Sequence, residues 1–137
     1  MIEQIFGANS GRFLLSLILA VAAGVLVGAE KELRGKDAGA RTHSFVVVGS
    51  MMFTYISGLF INDPARIAAQ IVTGIGFLGA GAIPRDRNSV HGTTTAASIW
   101  IVAMIGMTVG YGMFPEAILP TALVLTVLIV LFFYEKK

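Results

Sequence analysis

Residues 63–87 read DPARIAAQIVTGIGFLGAGAIPRDR. The stretch is apolar enough to enter a bilayer, yet it carries Arg66, Gln70 and Thr73 on one helical stripe and four glycines, Gly74, Gly76, Gly79 and Gly81. Polar groups in hydrocarbon are costly unless partnered, so an intramembrane polar residue is a functional-site hypothesis by default. Glycine gives up helix propensity and is used where another backbone approaches closely. A helix that accepts both costs is expected to build a packed polar site.

The surrounding composition agrees with a membrane solvent. Hydrophobic residues make up 55% of the 137-residue chain and charged residues only 13%, with a mean hydropathy of +0.80, too little polar surface for a water-soluble domain of this length. The chain has no cysteine, which excludes disulfides, thiolate metal sites and Cys nucleophiles together. The expected fold class is all-α: one polytopic membrane domain over residues 1–137, with about five transmembrane helices. The apolar runs lie near residues 13–29, 44–61, 67–83, 96–114 and 117–134. Glu30 to Thr42 is a charged loop. Asp63-Pro64 reads as an N-cap followed by a first-turn proline. Pro84 and Arg85-Asp86-Arg87-Asn88 end the third run, and Pro115 and Pro120 bracket the last turnaround. The loops are short, so no second domain is expected.

Charge sets the expected orientation. Lys31, Arg34, Lys36, Arg41, Arg85, Arg87, Lys136 and Lys137 fall on one side, eight of the ten basic residues, against Arg12 and Arg66 on the other. The first and third loops and the C-terminus are therefore expected to be cytoplasmic and the N-terminus outside. This places Asp63 outside and Arg85 inside. Ala20-Val21-Ala22 matches a signal-peptidase pattern, but the basic residues follow the apolar run instead of preceding it, so the first run is read as a retained helix.

Two motifs lose their apparent meaning in context. Gly74-Ile75-Gly76-Phe77-Leu78-Gly79 matches G-x-G-x-x-G literally, but a dinucleotide fingerprint needs a βαβ unit around it and this one lies inside an apolar run. His43 and His91 border the basic loops without a third ligand at metal-site spacing. No metal, cofactor or nucleic acid is expected. No nucleophile, base and orienting group can be assembled, so no enzyme is expected either.

At 100° per residue, Asp63, Arg66, Gln70, Thr73, Gly74 and Gly81 fall within about a third of the helix circumference. Ile67, Ile71, Ile75 and Leu78 fall opposite. The expectation is that the polar stripe faces protein or water and the isoleucines face lipid. Gly76 and Gly79 lie off the stripe, suggesting contacts from more than one direction. Ser16, Ala20, Gly24 and Gly28 form a small-residue ridge on the first helix, and Gly106 and Gly110 repeat it on the fourth. Such ridges serve packing within one subunit or between subunits; a two-fold dimer is the expected oligomer. The fifth run has no glycine and is placed at the periphery.

Among loop residues, Lys31 and Lys36 read as headgroup contacts. Glu30 lies so close to the apolar run that it needs a partner, with Arg34, Arg41, Arg85 and Arg87 as candidates. Thr94 and Ser98 open the fourth helix, where capping competes with a functional role. Trp100 and Tyr111 are read as packing residues.

Three segments together carry a family resemblance: GAEKELRGKDAGARTH (Gly28 to His43), DPARIAAQIVTGIGFLGAG (Asp63 to Gly81) and HGTTTAASIW (His91 to Trp100). In order and spacing they resemble the signatures of the MgtC/SapB membrane proteins. The resemblance implies a bacterial inner-membrane protein associated with adaptation to low magnesium and, in intracellular pathogens, with survival inside macrophages. Many members continue into a soluble cytoplasmic domain, whereas this sequence stops at Lys137, as expected either of the short, membrane-only members or of a truncated chain. Two functions follow as expectations. The first is a regulator that binds another membrane protein, such as an ATP synthase or a transporter, and contacts membrane lipid. The second is a transporter or channel with a site lined by Glu30, Asp63, Arg66 and Gln70. The scarcity of carboxylates favours the first over a magnesium path.

Overall fold

The computed structural model describes residues 10–60, 62–85 and 89–135. Among these residues there are five α-helices and no strand: α1 (Ser10–Leu33), α2 (Ala40–Ser57), α3 (Arg66–Gly81), α4 (Thr93–Gly110) and α5 (Phe114–Glu135). Arg85 and Val90 form an isolated antiparallel bridge. Asp86, Arg87, Asn88, Lys136 and Lys137, which enter the reading of the basic side, lie outside the described residues.

The helices appear in the expected order, but their spanning capacity differs from the expectation of five equal runs. By length and composition α1, α4 and α5 are long and apolar enough to cross a membrane. α3 has only 16 residues, about 24 Å of helix against a hydrocarbon core of about 30 Å. α2 has 18 residues but includes Arg41, His43, Ser44, Ser50, Thr54 and Ser57, which dilute its hydropathy.

Packing explains how α2 accommodates those residues. α2 is held between α1 and α4 and also touches α3; α3 packs on α4 and α2, and α5 on α4 and α1. The centre is thus α1, α2 and α4, with α3 and α5 as outer helices. The buried face of α2 is His43, Val46, Val47, Ser50, Met51, Thr54 and Ser57, a repeat of three and four residues that keeps its polar side chains inside the protein. α1 meets it with Ser16, Ala20, Ala23, Gly24, Val27, Gly28 and Lys31. A Cβ at Gly24 would strike the Ser44 backbone and one at Gly28 the Ala40 backbone; at Gly106 and Gly110 it would strike the Val47 and Met51 carbonyls. These four glycines let three backbones meet directly.

The helix ends are closed by tertiary contacts. α1 stops at a Schellman turn: Gly35 at φ +65° donates to the Glu32 carbonyl (3.0 Å) and Lys36 to the Lys31 carbonyl (3.0 Å). The N-cap of α2 is Gly39, which has no side chain, and Glu32 of α1 accepts the Ala40 N–H instead (3.0 Å). The N-cap of α3 is Ala65, not Asp63, and no side chain at that position caps it. Ser57 of α2 takes over, accepting the Ala68 N–H (3.2 Å) and donating to the Pro64 carbonyl (2.6 Å). Tyr111 donates to the same carbonyl (3.2 Å). Asp63 stays exposed. Pro120 lies within α5 and does not bracket a turn; the turn between α4 and α5 is a second Schellman closure, with Gly112 at φ +77°.

Candidate functional site

Two buried polar clusters lie where α1, α2 and α4 meet loop one. Lys31, 1% exposed, points into the bundle. Its Nζ lies 3.3 Å from Glu30 Oε2, and Arg34 Nη1 lies 3.3 Å from Glu30 Oε1. The Arg34 guanidinium also sits over the Phe132 ring, 5.6 Å from its centre, linking α1 to the end of α5. Glu30 thus finds its partners on its own helix, in Lys31, and in the turn just past its end, in Arg34. Arg41 and Arg85 are exposed. Lys31, expected at the headgroups, is instead the largest fully buried side chain.

His43 is completely buried. Its Nδ1 donates to the Gly39 carbonyl (2.9 Å), since a carbonyl only accepts, and its Nε2 meets Ser98 Oγ of α4 (2.9 Å). Ser98 also donates to the Thr95 carbonyl (2.7 Å). With a neutral ring the single Ser98 proton has two acceptors, Nε2 and that carbonyl; with both ring nitrogens protonated all three bonds form at once. Ser98 was legible as a candidate, whereas His43 and Lys31 were read only as a loop-bordering histidine and a headgroup contact, and Glu32 and Ser57 were not singled out.

The stripe on α3 is placed differently from the expectation. Arg66, Gln70, Thr73, Gly74 and Gly81 are exposed, and the residues buried on α3 are Ala68, Ile71, Ile75 and Gly79. α3 packs mainly on α2 and α4, and the branched isoleucines fill that seam while Arg66 and Thr73 are exposed. A Cβ at Gly74, Gly76 or Gly81 would meet nothing within 4 Å; one at Gly79 would come within ordinary contact of Ala96. Thr94 and Trp100 of α4 are exposed, so Trp100 is not a core packing residue.

Two clefts flank α3. An apolar groove of about 530 Å³ runs between α2 and α3, bordered by Phe45, Gly49, Phe53, Gln70 and Gly74. A more polar cleft of about 510 Å³ lies where loop one, the end of α3 and the start of α4 converge, bordered by Lys36, Asp37, Thr42, His91, Gly92 and Thr95. Loops one and three therefore share one end of the molecule. Arg12, Tyr55 and Tyr111 gather around a smaller pocket with Gly110 and Gly112.

The MgtC family model matches residues 17–137. The chain is 42% identical over 129 residues to YhiD of Escherichia coli K12, a protein provisionally named as a magnesium transporter, covering 87% of this chain and 60% of that one. It is 45% identical over 114 residues to protein MgtC of Salmonella typhimurium LT2 and 42% identical over 114 residues to slr0014 of Synechocystis sp. PCC 6803, each match covering 82% of this chain and 49% of the relative. The chain thus spans about half to three fifths of the length of these relatives. No solved structure matches it.

Proposed function

The chain belongs to the MgtC family, and from that premise we propose that it is a multi-pass protein of the bacterial inner membrane that regulates other membrane proteins through its outer helix faces and catalyses no reaction. In this reading all five helices cross, with the N-terminus outside and the C-terminus cytoplasmic. α2 crosses despite its polar residues because α1, α4 and α3 shield them from lipid. The protein serves adaptation to low magnesium and, in an intracellular bacterium, survival inside the host cell.

One observation carries the regulatory reading: the centre of the bundle is closed. Gly24, Gly28, Gly106 and Gly110 bring α1, α2 and α4 into backbone contact, so a solute path between them requires the central helices to part. The clefts lie on the flank of α3, and its polar residues point outward. Arg66, Gln70 and Thr73 facing acyl chains would be costly, and a protein partner relieves that cost. A second copy fits. Asp63 and Arg66 lie within one turn of each other, so a two-fold axis along the membrane normal can set Asp63 of one copy against Arg66 of the other. Gln70, both donor and acceptor, is self-complementary about that axis.

A second reading, transport of an ion or small solute, draws on the magnesium-transport designation of YhiD. Purified protein in liposomes separates the two. The regulatory reading expects magnesium, proton and anion fluxes equal to those of empty vesicles. Robust flux that disappears in Glu30→Gln or Asp63→Asn would overturn it.

A further inference from the structure

The two clefts on the flank of α3 adjoin: Thr42, Val46 and Leu78 line both. A polar compartment beside loops one and three therefore borders an apolar groove. That groove follows α2 from Thr42 to Phe53, a rise of about 16 Å. Its floor is open. Neither Gly49 on α2 nor Gly74 on α3 has an atom within 4 Å of the position its Cβ would take.

The N-terminus of α4 lies at the polar end. Helix geometry leaves the first amides of a helix without intrahelical acceptors. Gly92, the N-cap, contributes no side chain to them. A second, independent feature points the same way. Thr95 is 5% exposed and lines the compartment, and its hydroxyl takes part in no hydrogen bond among the described residues. Lys36 and His91 add donors at the rim. The first amides of α4, the unpaired hydroxyl of Thr95 and an ammonium group together suit a phosphate, which the positive end of the helix further favours. Asp37, the carboxylate at this rim, suits an acceptor for the amine or hydroxyls of a headgroup attached to that phosphate.

We propose that this composite site binds one glycerophospholipid from the leaflet on the loop-one side, its phosphate on the α4 N-terminus and Thr95, and one acyl chain in the α2–α3 groove. A free phosphate would satisfy the amides but leave the groove empty. A partner helix would fill the groove but leave the amides and the Thr95 hydroxyl unpaired. A phospholipid satisfies both compartments at once. The site shares Gln70 with the α3 face on which the second copy is proposed to dock, and it does not depend on whether the protein transports a solute.

The test is native mass spectrometry of the delipidated full chain in detergent, titrated separately with phosphatidylglycerol, diacylglycerol of the same chains, and inorganic phosphate. One phosphatidylglycerol per chain is expected, held about tenfold more tightly than diacylglycerol, as befits charge-assisted hydrogen bonds. Thr95→Val is expected to lose about the same factor. Gly74→Leu and Gly49→Leu, both into open space, are expected to weaken the phospholipid while leaving the melting temperature in place; having two variants guards against one misfolding. Equal binding of diacylglycerol, complete displacement by millimolar inorganic phosphate, or phospholipid binding untouched by all three substitutions would overturn the assignment.

Discussion

Lys31 and Glu30 illustrate how asymmetric a buried ion pair becomes when only one partner has a second contact. Glu30 retains Arg34 if Lys31 is removed, whereas Lys31 has only Glu30 as its ion-pair partner among the described residues. Glu30→Gln should therefore cost about 3–5 kcal/mol, the range for stranding a buried charge, and Lys31→Met should cost clearly less. Thermal unfolding of both variants in the same detergent checks the order. Ser98→Ala should cost about 1–3 kcal/mol, because it leaves His43 Nε2 without its partner inside the bundle. The register of both buried residues was present in the sequence. Lys31 continues the ridge of Gly24 and Gly28 by three residues, and His43 begins the spacing that runs through Val47, Ser50, Thr54 and Ser57. Charge and loop proximity outweighed that register, because a lysine beside an apolar run usually reaches for headgroups.

Among the helices, α2 and α3 exchange the roles that polarity alone suggests. The polar stripe that faces inward belongs to α2, whose hydroxyls are spaced for a helix in contact on several sides. The stripe on α3 points outward, since an outer helix touching two neighbours buries only a narrow face. Helix number, order and the ridges on α1 and α4 were legible, because small-residue spacing depends on one helix alone. The inward direction of α3 was not, because it depends on which neighbours exist. The caps were equally hidden: Glu32 and Ser57 serve helices other than their own. Ser57→Ala should cost about 1–2 kcal/mol in the unfolding assay, the range for a lost cap, although the N–H it caps lies eleven residues on. Glycine substitutions divide in the same way. Gly106→Val should destabilise by about 1–3 kcal/mol or more, because the Val47 carbonyl cannot yield. Gly76→Ala, with open space around it, should stabilise by about 0.5–1 kcal/mol.

At the scale of the whole molecule, a closed centre and a patterned exterior belong together. α1, α2 and α4 spend their small residues on mutual contact, so the polar groups of α3 and the two clefts beside it face outward. The proposed regulatory role follows from that division: the surface meets partners and the interior holds the shape. Residues of loops one and three border one cleft at the same end of the molecule. Disulfide cross-linking of Thr73→Cys in lipid nanodiscs tests the division most directly, with Ala68→Cys, on the buried face of α3, as the control. Prompt formation of a covalent dimer by Thr73→Cys and none by Ala68→Cys is the predicted result. A Thr73→Cys protein that remains monomeric under oxidation and reacts freely with lipid-phase probes would contradict it.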